Sequence, residues 1–563
     1  MKGTSRRAWL LTAMALLAPA VTPAGKDTAD RIFVNGRIWT GDPKRPRAEA
    51  LAVRGPLVLA VGTSGDVRAL AEKATDVVDL RGRFVAPGFI DAHLHLLAGG
   101  VSLEELRLDG APTIDEVCKR VAEWARKNPD RHWVTGRGWP YSAFPGGLPA
   151  RGPLDEIVPD RPAWLVSYDG HTGWANSFAL RLARITRETK DPPNGIVVRD
   201  ASGEPTGVLK EGAMTLVARL VPEPLPHEKE RAFKLALAQA AAWGLTSVQV
   251  MGIPEDELEI LARVLEGEGP RVRVRAALPL PTEAVPEALG RYEQLRRRHA
   301  GGRLSVGAVK GFVDGVVEAK TAAMFEPYPD GGTGSLNWTQ DELDRAVARF
   351  DAAGWQVMLH AIGDRGIDMA LTAFERAAIA NRTRDRRHRV EHVEVPRLSD
   401  LRRFRAAGVV ASTQALFAYP DANHLRVYLP MLGPERAARA MPFRSIDEAG
   451  VVQAFGSDWP VYPADVVRAI HCAVTRTTLE GTPPGGWEPA QRIVVEAALR
   501  HFTRDAARAA HEEDEKGTLA PGRLADLVVL SEDLLAVPPD RIKDARVLLT
   551  VLAGQDTYRA SGF

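Results

Sequence analysis

Cysteine is almost absent from this chain. The two in 563 residues, Cys118 and Cys472, allow one disulfide at most and exclude a disulfide framework. Net charge is nearly absent too, with 73 basic side chains against 72 acidic ones. Nothing therefore points to nucleic acid, which asks for a basic face, and the short basic clusters at Arg296 to His299 and Arg382 to Arg389 read as solvated surface. There is no phosphate-cradling Gly-Lys-Ser/Thr loop, no Gly-rich dinucleotide turn after the first strand, and no repeat or low-complexity tract. The leading apolar stretch, Ala8 to Leu17, is too short to span a bilayer with ease. It follows Lys2, Arg6 and Arg7 and precedes small residues at Ala18-Pro19-Ala20 or Thr22-Pro23-Ala24, so residues 1–24 read as an export signal. Ser5-Arg6-Arg7-Ala8-Trp9-Leu10-Leu11 is similar to a twin-arginine signal. The expected destination is periplasmic or secreted, with no membrane association after cleavage; an uncleaved N-terminal anchor is the competing reading.

What is present is histidine in a telling position. Val85 to Ile90 is an apolar run that leads into Asp91-Ala92-His93-Leu94-His95. Strand side chains alternate faces, so His93 and His95 point to one side and can grip one cation together. Further apolar runs carry Lys310, His360, His392 and Asp458 at or just past their ends. Helix-like stretches such as Glu342 to Ala353, Arg365 to Ala380 and Arg397 to Ala407 lie between them. The strand readings are Phe84 to Ile90, Thr246 to Val250, Val272 to Ala277, Val306 to Phe312, Gln356 to His360, Arg389 to Val393, Val409 to Thr413 and Val452 to Gly456. Strand and helix alternate, which predicts an α/β fold, a (β/α)8 TIM-like barrel with its chemistry at the C-terminal strand ends.

Nine motifs stand in a familiar order: PGFIDAHLH (87–95), HTGWANSFAL (171–180), PTGVLKE (205–211), GLTSV (244–248), VKGFVDG (309–315), HAIGDR (360–365), RVEH (389–392), GSDWPV (456–461) and GRLADLVVL (522–530). On these the chain resembles the metal-dependent amidohydrolase superfamily and, within it, the family 3 group, similar to N-substituted formamide deformylase. The resemblance spans about residues 30–560. Gln249, Val316 and Ala415 depart from the family pattern but touch none of the ligand positions.

The resemblance implies a binuclear centre, with His93, His95 and Asp458 on one ion and His360 and His392 on the other. Lys310 has a chemical reason to join them: a desolvated lysine near positive charge loses its proton, and the amine can capture carbon dioxide as a bridging carbamate. Imidazole and carboxylate suit two zinc ions, with iron, manganese or cobalt as alternatives. The implied reaction is hydrolysis of a non-peptide carbon–nitrogen bond, of amide or formamide type, in a small molecule by a metal-bound hydroxide. Asp458 would carry the proton, and His171 would orient or polarise the carbonyl. Deamination, lactone or ester hydrolysis, and a catalytically silent binding protein are the alternatives. A homodimer is left open.

Taken singly, Lys310 would be a solvated cation, His360 and His392 rim or core histidines, and Asp458 a turn residue. Glu211 reads as a rim carboxylate. His132, His227, His299, His388, His424, His471, His501 and His511 read as surface or structural. Short strand-like segments in residues 25–85 and again in 516–563 suggest one small β-sandwich built from both termini. The barrel is expected over 86–515. Residues 97–242 are too long for a strand-to-helix connection and read as an inserted cap, whose Trp133, Trp139, Trp164 and Trp174 could line an apolar pocket or pack its core.

Overall fold

The computed structural model describes residues 28–269, 271–282, 285–382 and 385–563. The expected export signal lies outside the described residues. At the centre is a parallel sheet of eight strands in sequential order: β1 Phe89–Leu94, β2 Leu245–Val250, β3 Arg273–Pro279, β4 Leu304–Phe312, β5 Gln356–Ala361, β6 Arg389–His392, β7 Val410–Gln414 and β8 Gln453–Gly456. Such strands are covered on both faces, which is why they appear in the sequence as near-continuous apolar runs. Every residue of β1, β2, β5 and β6 is buried.

The ends of the sheet meet. Asp458 N donates to His93 O at 2.7 Å and His95 N donates to Trp459 O at 2.8 Å. Gly456 permits this closure, because a Cβ there would lie 2.6 Å from His93 N. The outer helices follow ordinary rules. Gln340–Ala352 starts at a capping box between Thr339 and Glu342 and buries Leu343, Ala346, Val347 and Phe350 at helical spacing.

The run Phe84 to Ile90 is not one strand. Phe84–Pro87 pairs with Leu527–Leu530 and Arg37–Trp39, and the barrel begins after Gly88. The residue at this crossover is glycine because no side chain fits there: a Cβ would meet Thr246 at 2.3 Å. His93 accordingly lies within β1, and His95 immediately precedes the helix Leu96–Ser102 that follows.

Outside the barrel, a six-stranded sheet joins Arg37–Trp39, Arg47–Ala48 and Phe84–Pro87 to Leu527–Leu530, Val547–Leu552 and Gln555–Arg559. It faces a four-stranded sheet from residues 31–79 across Phe33, Leu51, Val85, Leu527, Val529 and Val551. Between β1 and β2, a further six-stranded sheet spans Leu106 to Glu211. Trp139 and Trp174 are fully buried in its core with Tyr141, Phe144 and Leu165, while Trp164 and Trp133 belong to a neighbouring cluster. None of the four lines the cavity described below, so their role is packing and the pocket alternative does not hold.

Candidate metal centre

Five of the six expected ligands are buried at one mouth of the barrel. His93 comes from β1, Lys310 from β4, His360 from β5, His392 from the end of β6 and Asp458 from just beyond β8, all under 9% exposed. His95 is the sixth, with a third of its side chain exposed. The ligand atoms of His93, His392 and Asp458 lie within 4.8 Å of one another. Asp458 Oδ1 is 3.3 Å from His93 Nε2 and 3.2 Å from His95 Nε2. The His360 ring sits 4.5 Å from that of His392. Left-handed backbone at His392 (φ 77°), Val393 (φ 50°) and Asp458 (φ 58°) turns the chain sharply where β6 and β8 end. Strain of this kind persists where surrounding structure enforces it, commonly at functional sites.

The donor set suits a divalent cation. His93 Nε2, Asp458 Oδ1 and Lys310 Nζ are buried without a well-formed hydrogen bond, the first two facing each other at 3.3 Å, an arrangement that is costly unless something else is held there. Burial, reinforced by the neighbouring His93 and Lys310, depresses His392 to about 3, and burial together with His392 depresses His360 well below the usual histidine range. Neutral imidazole is the form that ligates. Burial also lowers Lys310 to about 8, so a minor share of it, far larger than for an ordinary lysine, is the free amine near neutral pH that carbamate formation requires.

Behind the ligands is a polar shell. His93 Nδ1 meets Glu391 Oε2 at 2.6 Å, and Arg389 clamps the same carboxylate through Nε at 2.7 Å and a terminal nitrogen at 2.9 Å. Arg389, with no exposed surface, also donates to Ala92 O, Ser412 Oγ and Gln249. Gln249 is thus a brace in this network. His392 Nδ1 meets Gln414 Oε1 at 2.9 Å. Partners of this kind fix the tautomer and orientation of ligating histidines. Asp314 accepts from the backbone of Ala323, Ile362 and Gly363 at 2.9 to 3.0 Å, which ties the loop after β4 to the one after β5. Glu391 and Gln414 were not singled out from sequence; their signal was adjacency to His392 and position at the end of β7.

Above the ligands is a cavity of about 640 Å³. His171 and Glu211 reach it from the inserted sheet, with His171 Nδ1 2.9 Å from Glu211 Oε2 and the His171 ring 5.8 Å from that of His360. Burial would depress His171, but the Glu211 charge and hydrogen bond outweigh it and raise the imidazole to about 9. Glu211, read as a rim carboxylate, also accepts from Thr321 Oγ1 and is thus held between His171 and Thr321. His424, set aside in the sequence, lines the cavity as well.

A closed parallel barrel with buried histidines, an aspartate and a lysine at its C-terminal mouth has the architecture of a metal-dependent hydrolase. The model of the amidohydrolase family matches residues 76–558, and the chain belongs to that family. Protein LONG AFTER FAR-RED 3 of Arabidopsis thaliana is 34% identical over 96% of this chain and 93% of its own length. N-substituted formamide deformylase of Arthrobacter pascens is 28% identical over 95% and 99%. A metal-dependent hydrolase of Pyrococcus horikoshii, known as a crystal structure, superposes with a TM-score of 0.72 at 27% identity, over 90% of this chain and 99% of that one.

Proposed function

We propose that this amidohydrolase cleaves a carbon–nitrogen bond, other than a peptide bond, in a small amide or formamide. The observation that carries this reading is the convergence of buried ligand atoms lacking well-formed hydrogen bonds from β1, β4 and the loop after β8 beside the neutral imidazoles of His360 and His392. The similarity to a formamide deformylase supports the bond type. In this reading His93, His95 and Asp458 would hold one divalent cation and His360 and His392 a second, and Lys310, as its carbamate, would add an anionic oxygen ligand. Such ions supply Lewis acidity and make water acidic near neutral pH. Zinc fits imidazole and carboxylate donors, and elemental analysis distinguishes it from iron, manganese or cobalt.

The chain's own groups then divide the proton work. Burial raises the Asp458 carboxyl, but His93 and His95 outweigh it and keep it well below the usual range, so it is a carboxylate able to accept the proton of the attacking water. It returns that proton to the departing nitrogen. His171, cationic at neutral pH through Glu211, donates to the carbonyl oxygen as negative charge develops there. A silent binding protein is disfavoured because every ligand position is retained. For the N-terminus, the basic start and short apolar stretch support export through the twin-arginine route.

The test is a hydrolysis screen of formamides, N-acyl amines, cyclic amides and lactones after reconstitution with zinc and bicarbonate. Release of amine from the first two classes is expected; turnover of lactones alone would redirect the assignment to esters. Asp458→Asn should keep the fold and lose at least about a hundredfold in turnover, consistent with loss of a general base.

A further inference from the structure

Away from the metal ligands, the cavity wall has a second chemical character. Glu318, beyond β4, and Glu394, beyond β6, both line it and are 7% and 4% exposed. Among the described residues neither forms an ion pair with lysine or arginine. Each instead accepts a tyrosine hydroxyl: Tyr168 donates to Glu318 Oε1, and Tyr428 donates to Glu394 Oε2 at 2.8 Å. Buried carboxylates without a cation carry a free-energy penalty that a cationic ligand would offset. Burial, with the nearby charge of Asp169, outweighs the Tyr168 hydrogen bond and the charge of His171 and pushes Glu318 up to about 7.

A neighbouring amide makes the wall more specific. Asn423 Nδ2 donates to the Tyr168 hydroxyl at 2.9 Å. The single Tyr168 proton is committed to Glu318, so the hydroxyl can only accept from Asn423, and this fixes which way the amide faces. Its Oδ1 is left as an acceptor, buried and without a partner in a residue 5% exposed that lines the cavity. Around these acceptors stand aromatic rings: Tyr462 lies 6.2 Å from Tyr168 and 5.7 Å from Phe417. Carboxylate, amide oxygen and aromatic faces on one wall are the chemistry that recognises an organic cation.

We infer that the substrate carries a cationic nitrogen, an ammonium or protonated amine remote from the scissile bond, seated between Glu318 and Asn423 Oδ1 against Tyr168 and Tyr462. This rests on the hydrolase reading above and names the charge of the substrate it acts on. Arg137 also lines the cavity and donates to Tyr168 O at 3.1 Å, so an anionic substrate held by Arg137 is the opposing outcome.

Three formamides of matched length separate the two: N-formylputrescine (cationic), N-pentylformamide (neutral) and N-formyl-γ-aminobutyrate (anionic). Their binding to the metal-loaded full chain is read by thermal-shift titration, with formate release followed in parallel. The cation should bind about tenfold or more tighter than the neutral probe, the anion should bind weakest, and Glu318→Gln should remove most of the cation's advantage. Equal binding of cation and neutral probe overturns the inference, as does a preference for the anion that Arg137→Ala abolishes. Should Glu318→Gln fail to fold, the ranking with the unaltered protein decides by itself. Failure of the hydrolase reading has a different signature, namely no formate from any probe while the ranking by charge persists.

Discussion

Glu391→Gln isolates the part of the centre that lies behind the ligands. The substitution keeps shape and removes one negative charge from a site with no solvent access, where Glu391 holds His93 Nδ1 at 2.6 Å and is gripped by Arg389 at 2.7 and 2.9 Å. Breaking a buried ion pair from one side costs about 3 to 5 kcal/mol. The low end is expected, because Arg389 keeps its bonds to Ala92 O, Ser412 Oγ and Gln249. Losing the group that orients a ligating histidine lowers metal affinity by about 10- to 100-fold, which is about 1.4 to 2.7 kcal/mol. Two measurements separate these effects: urea unfolding of the metal-free chain, with an unchanged m-value, and a chelator competition titration for metal affinity. If metal-free stability falls while affinity stays within about twofold, the carboxylate serves Arg389 alone and its proposed hold on His93 is wrong. If neither moves, the buried network does not exist in solution.

Other outcomes follow from the same geometry. Lys310 must lose its proton before it can take up carbon dioxide, so at fixed dissolved carbon dioxide, activation of metal-reconstituted protein should rise with a midpoint at pH about 8 and level off about one unit higher, with a mass increase of one carbon dioxide; Lys310→Met should abolish both. Activity that requires protonated His171 should fall as pH rises through about 9, and Glu211→Gln should move that alkaline limb to lower pH in a kcat/KM profile; an unmoved limb refutes the pairing. Gly456→Ala should press on His93 across the barrel seam, lowering stability by about 1 to 3 kcal/mol in urea unfolding and weakening metal binding together with it.

The legibility of this chain follows from where its information sits. Parallel barrel strands are buried on both faces, so a polar residue at the end of an apolar run stands out, and His360, His392 and Lys310 were visible for that reason. Gly88 was not legible as a break between sheets, because what forbids a side chain there is Thr246, more than 150 residues away in sequence. Glu391 and Gln414 carried only the weak signals of adjacency to His392 and a strand end, because their partners lie on other strands. The cavity wall proposed to read substrate charge lies at the far end of this scale. Glu318, Glu394, Asn423 and Tyr168 come from the loops after β4, β6 and β7 and from the inserted sheet, and no spacing in the sequence links them. His424 was set aside for sitting at no strand end, yet it lines the cavity because the loop after β7 folds over the mouth. Ligands carried by rigid strands leave a periodic trace, whereas groups that read the substrate sit on loops whose meeting depends on the whole fold. The family was therefore readable from one dimension, and the cavity wall on which the proposed substrate charge rests only from three.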